Sequence, residues 1–374
     1  MIVGLWVTGC RPPPHHYHPR TGHHGHVEPA PIGHAGKLAW QRVASPSDVP
    51  STPPPVGTFR IHLIDVGTGL SVLVQGHDFA MLYDAGSNDR DEHPMRVLAY
   101  LGAALGASGD ELCGSAATGR VAIGNVVLSH PHFDHASAMD LVVHCYDVAN
   151  FWDSGRVNDT AFYRDLIAAI GRSTVTNYHT AADVPADHAM RVKGATTTIA
   201  RWQRFSEGDV VELGEGARFT ILHAEAKKLP DPNQNSVVIA VELGATRLLL
   251  VGDAESGERK DPSYPAGDVE AFLIEQHPKE IRADILQVGH HGSKTSSRRA
   301  FLDAVHPSLA LVSSGPKVYG HTVLPDREVI DELHTIGATV LRTDEHDDRC
   351  PSAHRLGGDD GPGGCDTYII TVSP

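Results

Sequence analysis

The sequence VVLSHPHFDH, residues 126–135, is the most informative stretch of this chain. Its apolar, β-branched start completes a predicted buried strand at 121–128. His130, His132, Asp134 and His135 follow directly, where side chains at the carboxyl end of a strand face the crevice of an α/β sheet. Imidazole and carboxylate ligands suit Zn²⁺, Mn²⁺ or iron. The spacing predicts that His130 and His132 hold one metal ion, and that Asp134 and His135 address a second.

Strand and helix patterns alternate on both sides of this stretch. Helical spacing of apolar residues lies at 94–105 and at 160–170. Short apolar runs bounded by turn residues predict further strands at 59–66, 71–75, 79–83, 219–223, 236–243, 247–251, 284–288, 309–313 and 366–372. This order predicts an α/β fold.

Further candidate metal ligands follow two later strands. Asp253 comes after the strand at 247–251 and can direct one carboxylate oxygen toward each metal ion. Either His290 or His291 follows the strand at 284–288 and supplies a remaining ligand to the second ion. We prefer His290, because it continues the strand more directly.

Two aspartates are candidates for supporting roles. Asp84 follows the strand at 79–83 and can accept the free N–H of a liganding imidazole, which fixes the orientation of that ring. Asp65 can do the same, or it can cap the turn at 67–69; the sequence favours neither.

Four residues are candidates for catalysis. His321, in a loop beside Gly320, can bind a phosphate oxygen or protonate a leaving alkoxide. Ser293 and Lys294 place a hydroxyl and a cation next to the histidines, which suits an anionic phosphodiester better than a neutral amide. Asp134 can steer the proton of the attacking water.

This set of motifs resembles that of the metallo-β-lactamase superfamily, and in particular that of the soluble hydrolase domain of ComEC-type DNA-internalisation proteins. The resemblance implies an αβ/βα four-layer sandwich with two facing mixed sheets, and two divalent metal ions, Zn²⁺ or Mn²⁺. It rests on the histidine motif together with Asp65–Gly69, Asp84–Gly86, Asn233–Ser236, Leu250–Asp253, His290–Ser293 and Tyr319–His321.

The chain departs from the family pattern at two places. Many hydrolases of the family have a histidine after the fifth or sixth strand that completes the first metal site. Here the aligned region holds Asn233 and Asn235, with His223 nearby, so either the first site is weak or His223 completes it. Leu70 stands where the ComEC-type turn usually continues with Asp.

The expected function is metal-dependent hydrolysis of a phosphodiester by a metal-bridged hydroxide, which forms because the two ions lower the pKa of the bridging water toward neutrality. The expected substrate is anionic, such as single-stranded DNA or a nucleotide. One alternative is a superfamily hydrolase of lactones, thioesters or β-lactams. Another is a metal-binding accessory lipoprotein with little turnover.

Composition restricts the partners. The chain has 374 residues and a formal net charge of −15, which argues against a protein that coats duplex DNA. Many of its 25 histidines lie in a Pro- and His-rich stretch at 11–57, where a tether is expected rather than a core. The predicted hydrolase domain is 58–374, with insertions near 145–205 and 346–365.

The N-terminus and the cysteines indicate export, with a cytoplasmic location as the alternative. Residues 1–10 are expected to be the remnant of a lipoprotein signal, in which 7–10 resemble a lipobox. Cys10 is then the site of a lipid anchor and the only predicted contact with a membrane. Of the three pairings open to the remaining cysteines, we favour Cys113 with Cys145 and Cys350 with Cys365.

Overall fold

The strands form two large mixed sheets that pack face to face. The structure is a computed structural model that describes residues 36–88, 94–115, 119–350 and 363–374. In chain order the strands are β1 (Lys37–Val43), β2 (Phe59–Leu63), β3 (Val72–Gln75), β4 (Ala80–Tyr83), β5 (Ala122–Leu128), β6 (Asp147–Asp153), β7 (Asn177–Thr180), β8 (Ala189–Val192), β9 (Ala195–Thr198), β10 (Trp202–Arg204), β11 (Val210–Gly214), β12 (Ala217–His223), β13 (Val238–Leu243), β14 (Thr246–Leu250), β15 (Ile285–Gln287), β16 (Leu309–Val312), β17 (Val318–Tyr319), β18 (Thr322–Val323), β19 (Thr339–Arg342) and β20 (Thr367–Ser373).

Each sheet joins an antiparallel half to a parallel half. The first sheet has the order β1-β20-β2-β3-β4-β5-β6-β7-β10, and it becomes parallel from β4 onward. The second has the order β11-β12-β13-β14-β15-β16-β19, and it becomes parallel from β14 onward. The carboxyl ends of parallel strands are where α/β proteins place their ligands, so both sheets supply such an edge.

Helices cover the outer face of each sheet, which gives the four-layer αβ/βα sandwich that was predicted. One core, with Ile61 and Phe219, lies between the sheets. Another, with Tyr100, lies under the first group of helices, and a third, with Phe301, lies under the second. The helices are α1 (Pro94–Leu105), α2 (Phe133–Ala136), α3 (Met139–Cys145), α4 (Ala161–Arg172), α5 (Asp268–Gln276), α6 (Arg299–Val305) and α7 (Arg327–Thr335). In the part of the chain that the structure describes, no helix is both long and apolar enough to cross a bilayer.

The sheet begins earlier than the predicted domain boundary at residue 58. β1 pairs with β20 along its whole length, from Lys37 against Ser373 to Val43 against Thr367. Most of its side chains are exposed or half-buried, because an edge strand is held by backbone hydrogen bonds. Such a strand has no hydrophobic pattern, so assigning the whole of 11–57 to a tether was wrong for this segment.

The predicted insertion near 145–205 is largely part of the first sheet. It contributes β6, β7 and β10, and only the hairpin of β8 and β9 stands outside. Most of the second predicted insertion, and the candidate anchor at Cys10, lie outside the described residues.

Both predicted cysteine pairs are confirmed as disulfides. The bond between Cys113 and Cys145 joins residues 32 positions apart, just after α1 and at the end of α3. A cross-link of this span restricts the unfolded chain more than the bond between Cys350 and Cys365, which joins residues 15 positions apart.

We expect replacement of both Cys113 and Cys145 by serine to lower the free energy of unfolding by about 2–4 kcal/mol. The reason is the greater conformational entropy of the unfolded chain. Denaturant unfolding monitored by circular dichroism measures this loss. The matched control replaces Cys350 and Cys365 by serine, and we expect it to lower the free energy of unfolding by a smaller amount. Equal midpoints for the Cys113/Cys145 double variant and the wild type would contradict the expectation.

Candidate metal centre

The motif after β5 is held in place by two glycines that permit very close backbone approach. A Cβ atom at Gly86 would overlap the backbone nitrogen of His135. Gly252 has a φ of +57°, and a Cβ atom there would lie 2.6 Å from the Cβ of Ser129. These close contacts require glycine near Asp84 and next to Asp253. Through them the ends of β4, β5 and β14 come together.

Two groups of buried side chains are each close enough to hold a metal ion, and they share one histidine. Within each group the ligand atoms lie within 4.8 Å of one another. The groups are His130, His135 and Asp253, and Asp134, His135 and His291. The structure thus brings together five of the seven predicted ligands, from both sheets.

Asp253 lies among four imidazoles, one of them that of His290, whose Nε2 is 3.8 Å from Oδ2 of Asp253. Its Oδ1 is 3.3 Å from Nε2 of His135, and its Oδ2 is 3.9 Å from Nε2 of His130 and 3.7 Å from Nε2 of His291. Its two oxygens therefore face both groups, as a bridging carboxylate requires. His132, the sixth predicted ligand, places Nδ1 2.9 Å from Nε2 of His130.

The geometry favours His291 rather than His290 as the ligand from the second sheet. The Nδ1 of His291 donates a hydrogen bond of 2.9 Å to the carbonyl oxygen of Ser313, which leaves Nε2 facing Asp134 at 3.6 Å. This is the arrangement by which proteins orient metal-binding imidazoles. The Nδ1 of His290 instead lies 2.6 Å from a carboxylate oxygen of Glu255.

The preference for His290 assumed that the chain continues the strand, and the backbone does not. β15 ends at Gln287, and both histidines then have left-handed φ values, +47° for His290 and +53° for His291. Continuity with a strand predicts side-chain direction only while the chain stays extended. Glu255 is buried and was not among the predicted site residues. Its position two residues after Asp253 is the only feature of the sequence that could have indicated a role at the site.

Asp84 supports the cluster as predicted. Its Oδ2 lies 2.7 Å from Nδ1 of His135 and accepts a hydrogen bond of 2.6 Å from the hydroxyl of Ser129. Its Oδ1 accepts the backbone N–H of Ser129 at 2.7 Å. These bonds fix the His135 ring so that Nε2 points at Asp253.

Asp65 has the turn-capping role. Its Oδ1 accepts the backbone N–H of Gly67 at 3.1 Å, and its Oδ2 accepts the N–H groups of Gly364 and Asp366 at 2.6 and 2.9 Å. It therefore ties the turn at 67–69 to the start of β20.

The three residues considered for completing the first site lie in other contacts. His223 donates from Nδ1 to the carbonyl oxygen of Ser236 at 2.8 Å. Asn233 donates to Glu255 at 3.1 Å, and Asn235 donates to the backbone of Lys227 at 2.8 Å. His223 belongs to none of the His, Cys, Asp and Glu groups found among the described residues.

Ser293 and Lys294 bind side chains of a neighbouring loop and of α7. The hydroxyl of Ser293 accepts a hydrogen bond of 2.9 Å from Arg259. The ammonium of Lys294 forms an ion pair of 2.6 Å with Glu328 on α7, and its backbone N–H donates to Asp326. These contacts support the position of the loop and give no support to a catalytic cation at Lys294.

Tyr319, rather than His321, contacts the cluster. Its hydroxyl donates to Asp134 Oδ2 at 3.2 Å. His321 is exposed in the turn between β17 and β18. Tyr319 begins the Tyr-Gly-His motif, so the sequence contains a signal for it, although an imidazole is the commoner acid or base.

The residues fit a pair of metal ions. Three buried atoms of the cluster have no hydrogen-bond partner: Nε2 of His135, Oδ1 of Asp253 and Nε2 of His291. Buried polar atoms without partners are costly and rare. Divalent cations would satisfy all three with the nitrogen and oxygen ligands that Zn²⁺ and Mn²⁺ accept.

The electrostatics couple metal binding to proton release. Burial lowers the pKa of His130 well below its usual value, so this ring is neutral, the form that binds a metal. Burial also lowers the pKa of His135, but the carboxylates of Asp253 and Asp84 outweigh it and raise that pKa well above its usual value. A cation at His135 must therefore displace a proton.

Comparison with known proteins gives the class of this chain. The family model of the metallo-beta-lactamase superfamily matches residues 64–315. The chain therefore belongs to that superfamily.

Competence and recombination proteins are among its curated relatives, in agreement with the resemblance to ComEC-type proteins. The chain is 26% identical over 288 residues to Recombination protein 2 of Haemophilus influenzae, covering 76% of this chain and 28% of the relative. It is 31% identical over 144 residues to ComE operon protein 3 of Bacillus subtilis, covering 38% and 17%. The chain thus spans less than a third of the length of these relatives. The crystal structure of the metallo-beta-lactamase fold protein YhfI from Bacillus subtilis matches with a TM-score of 0.41 and 13% identity, over 76% of this chain and 95% of that one.

Proposed function

We propose that this chain is a metal-dependent hydrolase of phosphodiester bonds in an anionic substrate, such as single-stranded DNA or a nucleotide. The observation that carries the proposal is the pair of His/Asp groups that share His135 and are joined by Asp253. When bound, a pair of divalent cations lowers the pKa of water and offsets the charge of a phosphate.

The protein's own groups at the rim suit a phosphate. The single proton of the Tyr319 hydroxyl, which donates to Asp134 at 3.2 Å, can turn to a non-bridging oxygen of a phosphate when a cation takes the Asp134 carboxylate. The Lys317 ammonium lies 5.1 Å from the centre of the Tyr319 ring and supplies a cation on the same hairpin. Asn88 donates to the Tyr319 hydroxyl at 3.4 Å and helps to orient it. Relatives named for recombination and competence add support for a nucleic-acid substrate.

Hydrolysis of bis(p-nitrophenyl) phosphate tests the proposal. With Mn²⁺ or Zn²⁺, we expect metal-dependent turnover by the wild type and a loss of about 10²–10³-fold in Asp134→Ala, which removes a ligand and the partner of Tyr319. Asp303→Asn, at an exposed position on α6, is the matched control and should retain full activity.

A substrate panel separates this function from its alternatives. Faster turnover of a lactone, a thioester or nitrocefin than of the phosphodiester would contradict the substrate class. Absence of metal-dependent turnover on all four would contradict the enzyme assignment and favour a metal-binding accessory role.

We also propose that the hydrolase acts outside the cytoplasm, anchored by lipid at Cys10. The two disulfides support this location, because such bonds persist in oxidising compartments. Metabolic labelling with palmitate should label the wild type and not Cys10→Ser, and equal labelling would contradict the anchor.

A further inference from the structure

An aromatic side chain of the histidine motif is exposed beside the buried metal centre. Phe133 is 41% exposed, although Asp134 and His135, which follow it in the motif, are buried. Its ring packs edge-to-face against Phe162, with 5.2 Å between the ring centres and an angle of 79° between the planes. Single exposed apolar residues are common on protein surfaces, so this ring is informative because a second one lies at the same site.

The second ring is that of Tyr319, which is 37% exposed. Its hydroxyl donates to Asp134 at 3.2 Å, so the ring lies against the metal centre. The Lys317 ammonium is 5.1 Å from the centre of this ring, and the side chain of Val318 between them in sequence is exposed as well. The hairpin therefore presents an apolar surface with a cation beside it. An aromatic ring next to a cation is the combination by which proteins hold the base and the phosphate of a single strand.

The two rings flank Asp134 along the edge of the first sheet. The hairpin that carries Tyr319 is anchored to the turn between β2 and β3, because the backbone N–H of Lys317 donates to Thr68 Oγ1 at 3.1 Å. Phe162, which the first ring contacts, lies on α4, and this helix follows β6. In the sheet order β2-β3-β4-β5-β6, the motif after β5 lies between these two points. The rings therefore lie on opposite sides of the Asp134 carboxylate.

Both rings have firm supports. The chain that enters the hairpin passes in direct contact with the turn at 67–69, since a Cβ atom at Gly315 would lie 2.2 Å from the backbone nitrogen of Thr68. The hydroxyl of Ser313 also donates to the carbonyl oxygen of Gly69 at 2.7 Å. The other ring is fixed by its place on α2 and by the contact with α4. Rings held in this way lose little conformational entropy when a base stacks on them.

We propose that Phe133 and Tyr319 stack the bases on either side of the phosphodiester that lies at the metal centre, and that the substrate is therefore a single-stranded nucleic acid. An internal phosphodiester of a single strand has one base on each side, whereas a free mononucleotide has one base in all. Every base has an aromatic face, so such stacking is tolerant of sequence. The proposal rests on the proposed function for the position of the phosphate, but stacking itself does not require turnover.

Binding of a fluorescein-labelled oligothymidylate of about 12 nucleotides tests the stacking, measured by fluorescence anisotropy with Mn²⁺ present. Phosphorothioate links keep the strand intact during the measurement. The comparison is an abasic strand of the same length and charge. We expect the wild type to bind the strand with bases about 100-fold more tightly than the abasic strand, because each stacked base contributes about 10-fold.

Ring-retaining and ring-removing variants separate stacking from other effects. Phe133→Leu and Tyr319→Leu should each reduce the preference for bases by about 10-fold, whereas Phe133→Trp and Tyr319→Phe should retain it because each keeps an aromatic face. Tyr319→Phe also separates the ring from the hydroxyl that donates to Asp134. Trp40→Leu is the matched control: it removes an exposed ring from β1, five strands away from β5 in the first sheet, and should change nothing.

Three results would overturn the stacking: no preference of the wild type for the strand with bases, an unchanged preference in both leucine variants, or an equal loss in the variants that keep a ring. Failure of the stacking and failure of the proposed function are distinguishable. Hydrolysis of bis(p-nitrophenyl) phosphate without a preference for bases would refute the stacking and keep the function. A preference for bases without any hydrolysis would keep the stacking and refute the function.

Discussion

Asp253→Ala is expected to abolish tight metal binding by both groups and to lower kcat/KM for the phosphodiester by about 10³-fold or more. The Asp253 carboxylate faces imidazoles of both groups, at 3.9 Å from His130 and 3.7 Å from His291. Without it the remaining ligands cannot hold two cations close together, because nothing between them offsets the repulsion of the charges.

Metal content by mass spectrometry after gel filtration, measured with hydrolysis, checks this expectation. Glu242→Gln is the matched control, since it removes a carboxylate that pairs with Arg218 and Arg247 at the other end of β13. This control should keep its metal and its activity. An Asp253→Ala protein that retains both would refute the bridging role.

Asp84→Asn is expected to weaken metal binding by about 10- to 100-fold, the usual effect of losing a carboxylate behind a metal-binding histidine. Asparagine replaces one carboxylate oxygen of Asp84 by an NH2 group. This donor then faces either the Ser129 N–H or the His135 ring, where the wild type has an acceptor. The backbone is left intact, because Asn tolerates the φ of +57° at this position.

Competition with a chelator at fixed pH measures the affinity of this variant. Asp65→Asn provides the control: it also alters a buried aspartate that accepts backbone N–H groups, but Asp65 caps a turn rather than orienting a histidine. It should lower stability and leave metal affinity unchanged. Equal losses of affinity in the two variants would assign the effect of Asp84 to general destabilisation.

Most strands and most of the metal centre could be predicted because they depend on local patterns, whereas the two facing sheets were implied by the resemblance to the metallo-β-lactamase superfamily. The apolar run before Ser129 forms β5, and the histidines follow it at the sheet edge where parallel strands end. The pattern for α1, Pro94–Leu105, predicted its bounds correctly. In both cases periodicity and position within a strand or helix determine where the side chains go.

The rest depends on contacts between distant parts of the chain. β1 buries few of its side chains, and its place in the sheet depends on backbone pairing with the distant β20. The choice between His290 and His291 depends on a left-handed turn and on the carbonyl oxygen of Ser313. The pairing of Lys294 with Glu328 depends on where α7 packs. Neighbouring residues in the sequence contain none of this information.

The most direct test of the paired centre is a metal titration of the EDTA-treated wild type with Mn²⁺ and with Zn²⁺, following bound metal and phosphodiester hydrolysis in the same samples. The structure predicts two equivalents bound per chain, with hydrolysis reaching its maximum only when the second is bound. Saturation at one equivalent, or full hydrolysis without bound metal, would contradict a centre in which His135 and Asp253 serve two ions.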